Sequence, residues 1–123
     1  MTRLRIYTLA NCDTCRRAVK WLKARGLAFE ERAIRETPPT LAELRAMLAA
    51  QQGERRRLFN VSGRDYRELR LGEKLPTLTD SEALGLLAGS GSLVKRPFLV
   101  GVGVALVGFD EPVWTEALVG SRG

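Results

Sequence analysis

An α/β fold built on a mixed four-stranded sheet is predicted here by three observations. A strand, a helix and a second strand succeed one another within residues 3–34; helical segments fill the stretch from about 40 to 90; two short β-rich runs and a closing helix occupy residues 98–118. The order βαβ, helical insert, ββα makes one sheet with helices packed on it. A chain of 123 residues is about one domain in size and can bury a sizeable core without disulfides. It carries no repeat, linker or low-complexity segment, so residues 1–123 read as a single domain with the insert at about 40–90.

The first strand is "RLRIYTL", residues 3–9, in which Leu4, Ile6 and Thr8 alternate with Arg3, Arg5 and Tyr7. The period then changes. Cys15, Ala18, Val19 and Leu22 fall at i, i+3, i+4 and i+7, opposite Arg16, Arg17, Lys20 and Lys23, which predicts a helix from about Asp13 to Arg25 with Gly26 as its cap. "LAFEERAI", residues 27–34, is the second strand, and a helix joining two strands of one sheet makes them parallel. Pro38 and Pro39 end that run. Thr40 and Glu43 have capping-box spacing ahead of Leu41, Leu44 and Leu48, so a helix is expected to about Gln52, stopped by Gly53.

Shorter helical segments around Leu58–Phe59 and Tyr66–Leu69 are broken by Gly63, Gly72 and Pro76. Asp80 is the expected cap of a further helix through Ala83, Leu84 and Leu87, released by "GSGS" at 89–92. "FLVGVGVALVGF", residues 98–109, has the form of an antiparallel hairpin with Gly101 and Gly103 between its strands. Asp110 as cap and Pro112 near the first turn then open a helix that carries Val113, Trp114, Ala117 and Leu118 inward.

Composition narrows the class. Hydrophobic residues are 45% and charged residues 28% of the chain, which separates it from disordered proteins. No apolar run approaches the roughly 18 residues of a spanning helix, and "MTRLRIYTLANC" has neither a signal-peptide core nor a cleavage site, so a cytoplasmic protein without membrane contact is expected. Two cysteines are too few for a disulfide scaffold, and without any His a Cys/His metal site cannot be assembled; no metal and no bound cofactor is expected. The formal net charge is +6, yet its one dense run, Arg55–Arg57, follows Glu54 and lacks the interleaved aromatics that stack on bases. A solvated basic face, or one that meets an acidic protein or an anionic substrate, is expected rather than direct nucleic-acid binding.

The two cysteines stand three apart in "ANCDTCRRAVKWL", at the strand-to-helix junction. The first N–H groups of a helix lack intrahelical partners and carry the positive end of its dipole, so a thiolate at Cys12 is stabilised and becomes a nucleophile. Arg16, one turn later, adds positive potential, while Asp13 opposes it. Cys15 is within reach of Cys12 for a disulfide and can resolve a mixed disulfide formed there; its alignment with Ala18, Val19 and Leu22 fits a small core residue equally. In "LVKRPFLV", residues 93–100, Pro97 holds Arg96 extended and admits a cis peptide. That segment reads either as punctuation before a strand or as a fixed backbone edge beside Cys12, with the Arg96 guanidinium offered to a carboxylate, oxyanion or thiolate.

In order along the chain, the strand followed by "NCDTCRRA", then "TPPT", "KRPFLV" and "LVGF…W" before the closing helix, resemble the arsenate-reductase-like (ArsC/Spx) family of thioredoxin-like proteins. The likeness spans about Leu4 to Leu118 and implies a glutaredoxin-like βαβ and ββα core interrupted by a helical insert. It also implies that Cys12 attacks, and that Arg96 and Pro97 match the family's arginine and cis-proline. Cys15 stands where the family's arsenate reductases have serine and where Spx-type members have a second cysteine. Asn60 and Ala105 stand where arsenate reductases carry oxyanion-binding arginines, and Thr8 where they carry histidine. Losing two of three cations removes charge-assisted bonds worth roughly 1.5–3 kcal/mol each from an anion site.

The leading expectation is therefore a thiol–disulfide oxidoreductase, or arsenate-reductase-like protein. Cys12 is its nucleophile, Cys15 or an external thiol such as glutathione resolves the intermediate, and Arg16, Arg96, Pro97 and Asn60 line the substrate site. A small thiol or a glutaredoxin- or thioredoxin-type protein is the expected reductant. The resemblance also implies an alternative, a redox-sensing regulator of the Spx type that binds the RNA polymerase α subunit, which the cysteine pair, Gly53 and the basic face favour. Spx regulators continue past the closing helix with a charged tail, whereas this sequence ends at Gly123, which keeps the regulator second. A glutathione- or glutaredoxin-dependent arsenate reductase comes third.

Overall fold

The computed structural model describes residues 4–120; Arg3, assigned above to the first strand, lies outside them. Strand β1 (Leu4–Thr8) leads to α1 (Asp13–Ala24) and β2 (Phe29–Ala33). The insert follows as α2 (Leu41–Ala50), a 3-10 turn (Arg55–Leu58), the short α3 (Arg64–Glu68) and α4 (Leu71–Lys74), and α5 (Asp80–Gly89). Strands β3 (Phe98–Gly101) and β4 (Val104–Val107) and helix α6 (Glu111–Trp114) complete the order.

The strands form one mixed sheet in the order β2-β1-β3-β4. β1 runs parallel to β2, as the intervening helix requires, and antiparallel to β3, while β3 and β4 form the expected antiparallel hairpin. Two apolar layers fasten helices to its faces. On one face Leu4, Ile6 and Leu99 pack against Ala18, Trp21 and Leu22 of α1 and Trp114 of α6. On the other, Tyr7, Ile34 and Phe98 meet Leu44, Met47, Leu84 and Leu87 of the insert. Each fully buried side chain of this size contributes about 1.5–3 kcal/mol, so the insert is fixed to the sheet as firmly as α1.

That second layer corrects the alternation read for β1. Tyr7 belongs by pattern to the polar side with Arg5, yet it is fully buried, edge-on to Phe98 with ring centroids 5.9 Å apart. Its hydroxyl donates to Glu43 Oε1 across 2.6 Å, and Arg5 Nη1 donates to the other carboxylate oxygen at 2.8 Å. Glu43 also closes the capping box with Thr40, so one carboxylate ties β1 to the start of α2.

Three further expectations shift. α5 is capped by Thr79, with Glu82 reciprocating, and Asp80 is its first residue. Leu41 is exposed while Met47 takes the inner position in α2. In the closing helix Trp114 is buried and Leu118 half-buried, but Val113 and Ala117 face solvent, and Thr115–Val119 form a wider π turn that changes the helical phase after Trp114. Gly91 has a positional reason: a Cβ there would run into the Ile34 carbonyl, so only glycine lets the segment before β3 approach the end of β2 this closely.

Candidate active site

Cys12 is the N-cap of α1, with extended backbone dihedrals. Its own N–H donates to the Leu9 carbonyl at 3.1 Å, which closes the turn off β1, and its sulfur accepts the N–H of Cys15 at 3.3 Å. The sulfur thus takes the place that a Ser or Asp oxygen usually holds at a helix start, receiving one of the orphan amides. Cys12 is half-buried and Cys15 is buried, and both are free thiols. Burial pushes the Cys15 thiol up to about 12; the Leu9 main chain and the Arg96 charge work against that, and the neighbouring Cys12 adds to it. At neutral pH Cys15 is a protonated thiol with access only through its surroundings.

Arg96 and Pro97 arrive from the opposite direction. Phe98 pairs with Tyr7 across β1 and β3, so Pro97 stands at the end of β1 from which the loop departs to Cys12. The Arg96–Pro97 peptide is cis, as the resemblance implies. Arg96 Nη1 donates to the carbonyls of Ser92 at 3.3 Å and Val94 at 3.2 Å. One end of the guanidinium fork is thereby anchored to main chain, and its charge acts on Cys15. A half-exposed sulfur, an oriented helix terminus and an anchored cation can together bind and cleave a sulfur–sulfur bond.

The remaining expected residues are less central. Arg16 ion-pairs with Asp13 and donates to the Ala10 carbonyl at 3.0 Å, so its charge is shared with Asp13 as it braces the loop before Cys12. Asn60 pairs through its main-chain N–H with the Leu93 carbonyl at 2.8 Å, beside the strand leading to Arg96, but its side-chain amide lies against Gly63. Thr8 Oγ1 donates to Glu31 across 2.6 Å on the α1 side of the sheet, and Ala105 packs against the insert. Sequence reasoning missed Leu9, Ser92 and Val94, which hold the cysteines and Arg96 through main-chain groups; no side-chain pattern signals such a role.

A family model described as the ArsC family matches residues 7–117. The protein named "Uncharacterized protein YusI" from Bacillus subtilis (strain 168) is 41% identical over 113 residues, covering 92% of this chain and 96% of that protein. The global transcriptional regulator Spx of Enterococcus faecalis (strain ATCC 700802 / V583) is 28% identical over 108 residues, covering 88% of this chain and 80% of Spx. Among solved structures, an ArsC family related protein from Bacteroides fragilis superposes with a TM-score of 0.86 at 38% identity, covering 92% of this chain and 95% of that one. The match runs through both cysteines, the whole helical insert and the Arg96–Pro97 edge, and on that ground the chain belongs to the ArsC family.

Proposed function

We propose that the protein is a thiol–disulfide oxidoreductase in which Cys12 is the nucleophile. The single observation that carries this reading is the Cys12 sulfur at the N-cap of α1, half-exposed and accepting the Cys15 amide at 3.3 Å. The Cys12 thiolate attacks one sulfur of a disulfide substrate. A bond forms between Cys12 and that sulfur, the substrate's S–S bond breaks, and the departing thiolate takes a proton from solvent. An external thiol such as glutathione, or a glutaredoxin- or thioredoxin-type protein, then attacks the mixed disulfide as its thiolate and releases Cys12. Alternatively Cys15 gives up its proton, bonds to Cys12 and expels the second half of the substrate. Either route delivers two electrons to the substrate. A thiol pushed up to about 12 is rarely ionised at neutral pH, which favours the external thiol as the resolving group.

Turnover of a low-molecular-weight disulfide with glutathione tests the reading. Cys12→Ser should lose activity, while Cys15→Ser keeps the fraction driven by external thiol. An unchanged rate in Cys12→Ser would exclude the mechanism.

A second reading is a redox-switched regulator that binds the RNA polymerase α subunit, favoured by the cysteine pair and the likeness to a protein named Spx. Pull-down with that subunit separates the two readings, and absence of binding by both oxidised and reduced protein removes the regulator. Arsenate reduction is the weaker reading, because Asn60 and Ala105 offer no cation to an oxyanion beyond Arg96; arsenate-dependent oxidation of glutathione or glutaredoxin is its test.

A further inference from the structure

A cavity of about 390 Å³ opens between α1 and β2, on the side of the cysteine pair away from Arg96 and Pro97. Its volume is in the range of small-ligand sites. Leu9, Ala10 and Val19 give it an apolar lining, and the buried Cys15 forms part of its wall. Since burial keeps that thiol protonated, it is a neutral, weakly polar surface rather than a charged one.

The rim is cationic. Arg16, Lys20 and Lys23 line it at i, i+4 and i+7 of α1, which places them along one helical face. Among the described residues neither Lys20 nor Lys23 forms an ion pair, whereas Arg16 is engaged by Asp13. The one lining carboxylate, Glu31, receives the Thr8 hydroxyl. An apolar slot lined on its α1 side by two exposed lysines without ion pairs matches a ligand with a short hydrocarbon body and one negative end.

We propose that this cavity is a binding site for a small amphipathic carboxylate, whose chain lies over Leu9, Val19 and Cys15 and whose carboxylate meets Lys20 and Lys23. Cys15 is buried apart from its place in the cavity wall, so the occupant shields what access to that thiol the cavity gives, without occupying the Cys12 side. The site goes beyond the redox reading and stands whether or not Cys12 turns over a disulfide.

Octanoate is the probe, measured by calorimetric titration at low salt against 1-octanol and octylammonium, which share its chain and differ in charge. Octanoate should bind at least about fivefold tighter than octanol, with octylammonium weaker still, as expected for one solvent-exposed charge pair or two. The double variant Lys20→Gln, Lys23→Gln should weaken octanoate about tenfold and leave octanol binding and thermal stability unchanged. In a Cys12→Ser background, saturating octanoate should slow alkylation of Cys15. No binding up to about 10 mM octanoate, the weak end of small-ligand affinity, would overturn the proposal. Equal affinity for octanol would also overturn it, by showing an apolar occupant, and so would full octanoate affinity in the double variant.

Discussion

The amide of Cys15 donates to the sulfur of Cys12 across 3.3 Å, so the buried cysteine supports its half-buried partner through main chain. Truncating the Cys15 side chain leaves that donor in place, whereas proline at the same position removes it. Alkylation of Cys12 by iodoacetamide at neutral pH should therefore stay within about twofold in Cys15→Ala. It should fall about tenfold or more in Cys15→Pro, the scale of one hydrogen bond to a charged acceptor. Proline is tolerated in the first turn of a helix, and a circular dichroism spectrum unchanged from wild type separates the lost amide from a lost helix.

Cys15 itself should show a late titration. Its folded thiol is pushed up to about 12 by burial, from an ordinary value of 9.0. The proton-linked stability is complete below the ordinary value and is lost as pH rises toward 12, at about 1.4 kcal/mol per pH unit between them. In Cys12→Ser, where Cys15 is the remaining thiol, its alkylation rate should climb about tenfold per pH unit well beyond 9. A rate that levels off near 9.0 would show the thiol in ordinary surroundings.

Local signals made much of this molecule legible before its tertiary structure. The Thr40 and Glu43 spacing locates the start of α2, and the change from period two to period 3.6 around Asn11 places Cys12 at a helix terminus. Information held between elements was not legible. Tyr7 reads as polar-side until the insert covers the second face of β1, and nothing in its neighbours along the chain announces Glu43 as its partner. Thr79 and Asp80 are both good caps; the glutamate three residues after Thr79 was the discriminating signal. Arg96 was legible as a cation, but the carbonyls of Ser92 and Val94 that anchor it belong to main chain.

Glu43 should be a pH-dependent fastener. Burial works against its charge, but bonds from Tyr7, the Thr40 amide and Arg5 outweigh it and hold the carboxyl below the usual range. A depressed value means stability that is present above the ordinary carboxylate value and is lost as pH falls through the folded one. Glu43→Gln should cost about 1–3 kcal/mol at pH 7 in urea unfolding. The gap to wild type should close as the pH is lowered below about 4; a gap constant from pH 7 to 3 would assign the loss to packing alone.

Gly91 should be intolerant although its nearest neighbours are main-chain atoms and no side chain competes for the space. A Cβ there meets the Ile34 carbonyl, and that carbonyl belongs to the residue following β2, whose N–H is held by Thr8. Neither strand end can retreat easily, so Gly91→Ala should destabilise by about 1–3 kcal/mol, the range for forced overpacking. Because Ser92 is the next residue and its carbonyl anchors Arg96, the displacement should also loosen that guanidinium. The proposed disulfide-reductase activity should then fall more than the unfolded fraction explains, measured at a temperature where the variant remains folded. Arg96→Lys gives the control, since it keeps the positive charge but replaces the planar guanidinium, anchored through Nη1 alone, with a single ammonium that has no second planar nitrogen to offer a substrate. If Gly91→Ala loses stability and keeps full activity while Arg96→Lys loses activity, the 91–92 segment positions the fold but not the cation.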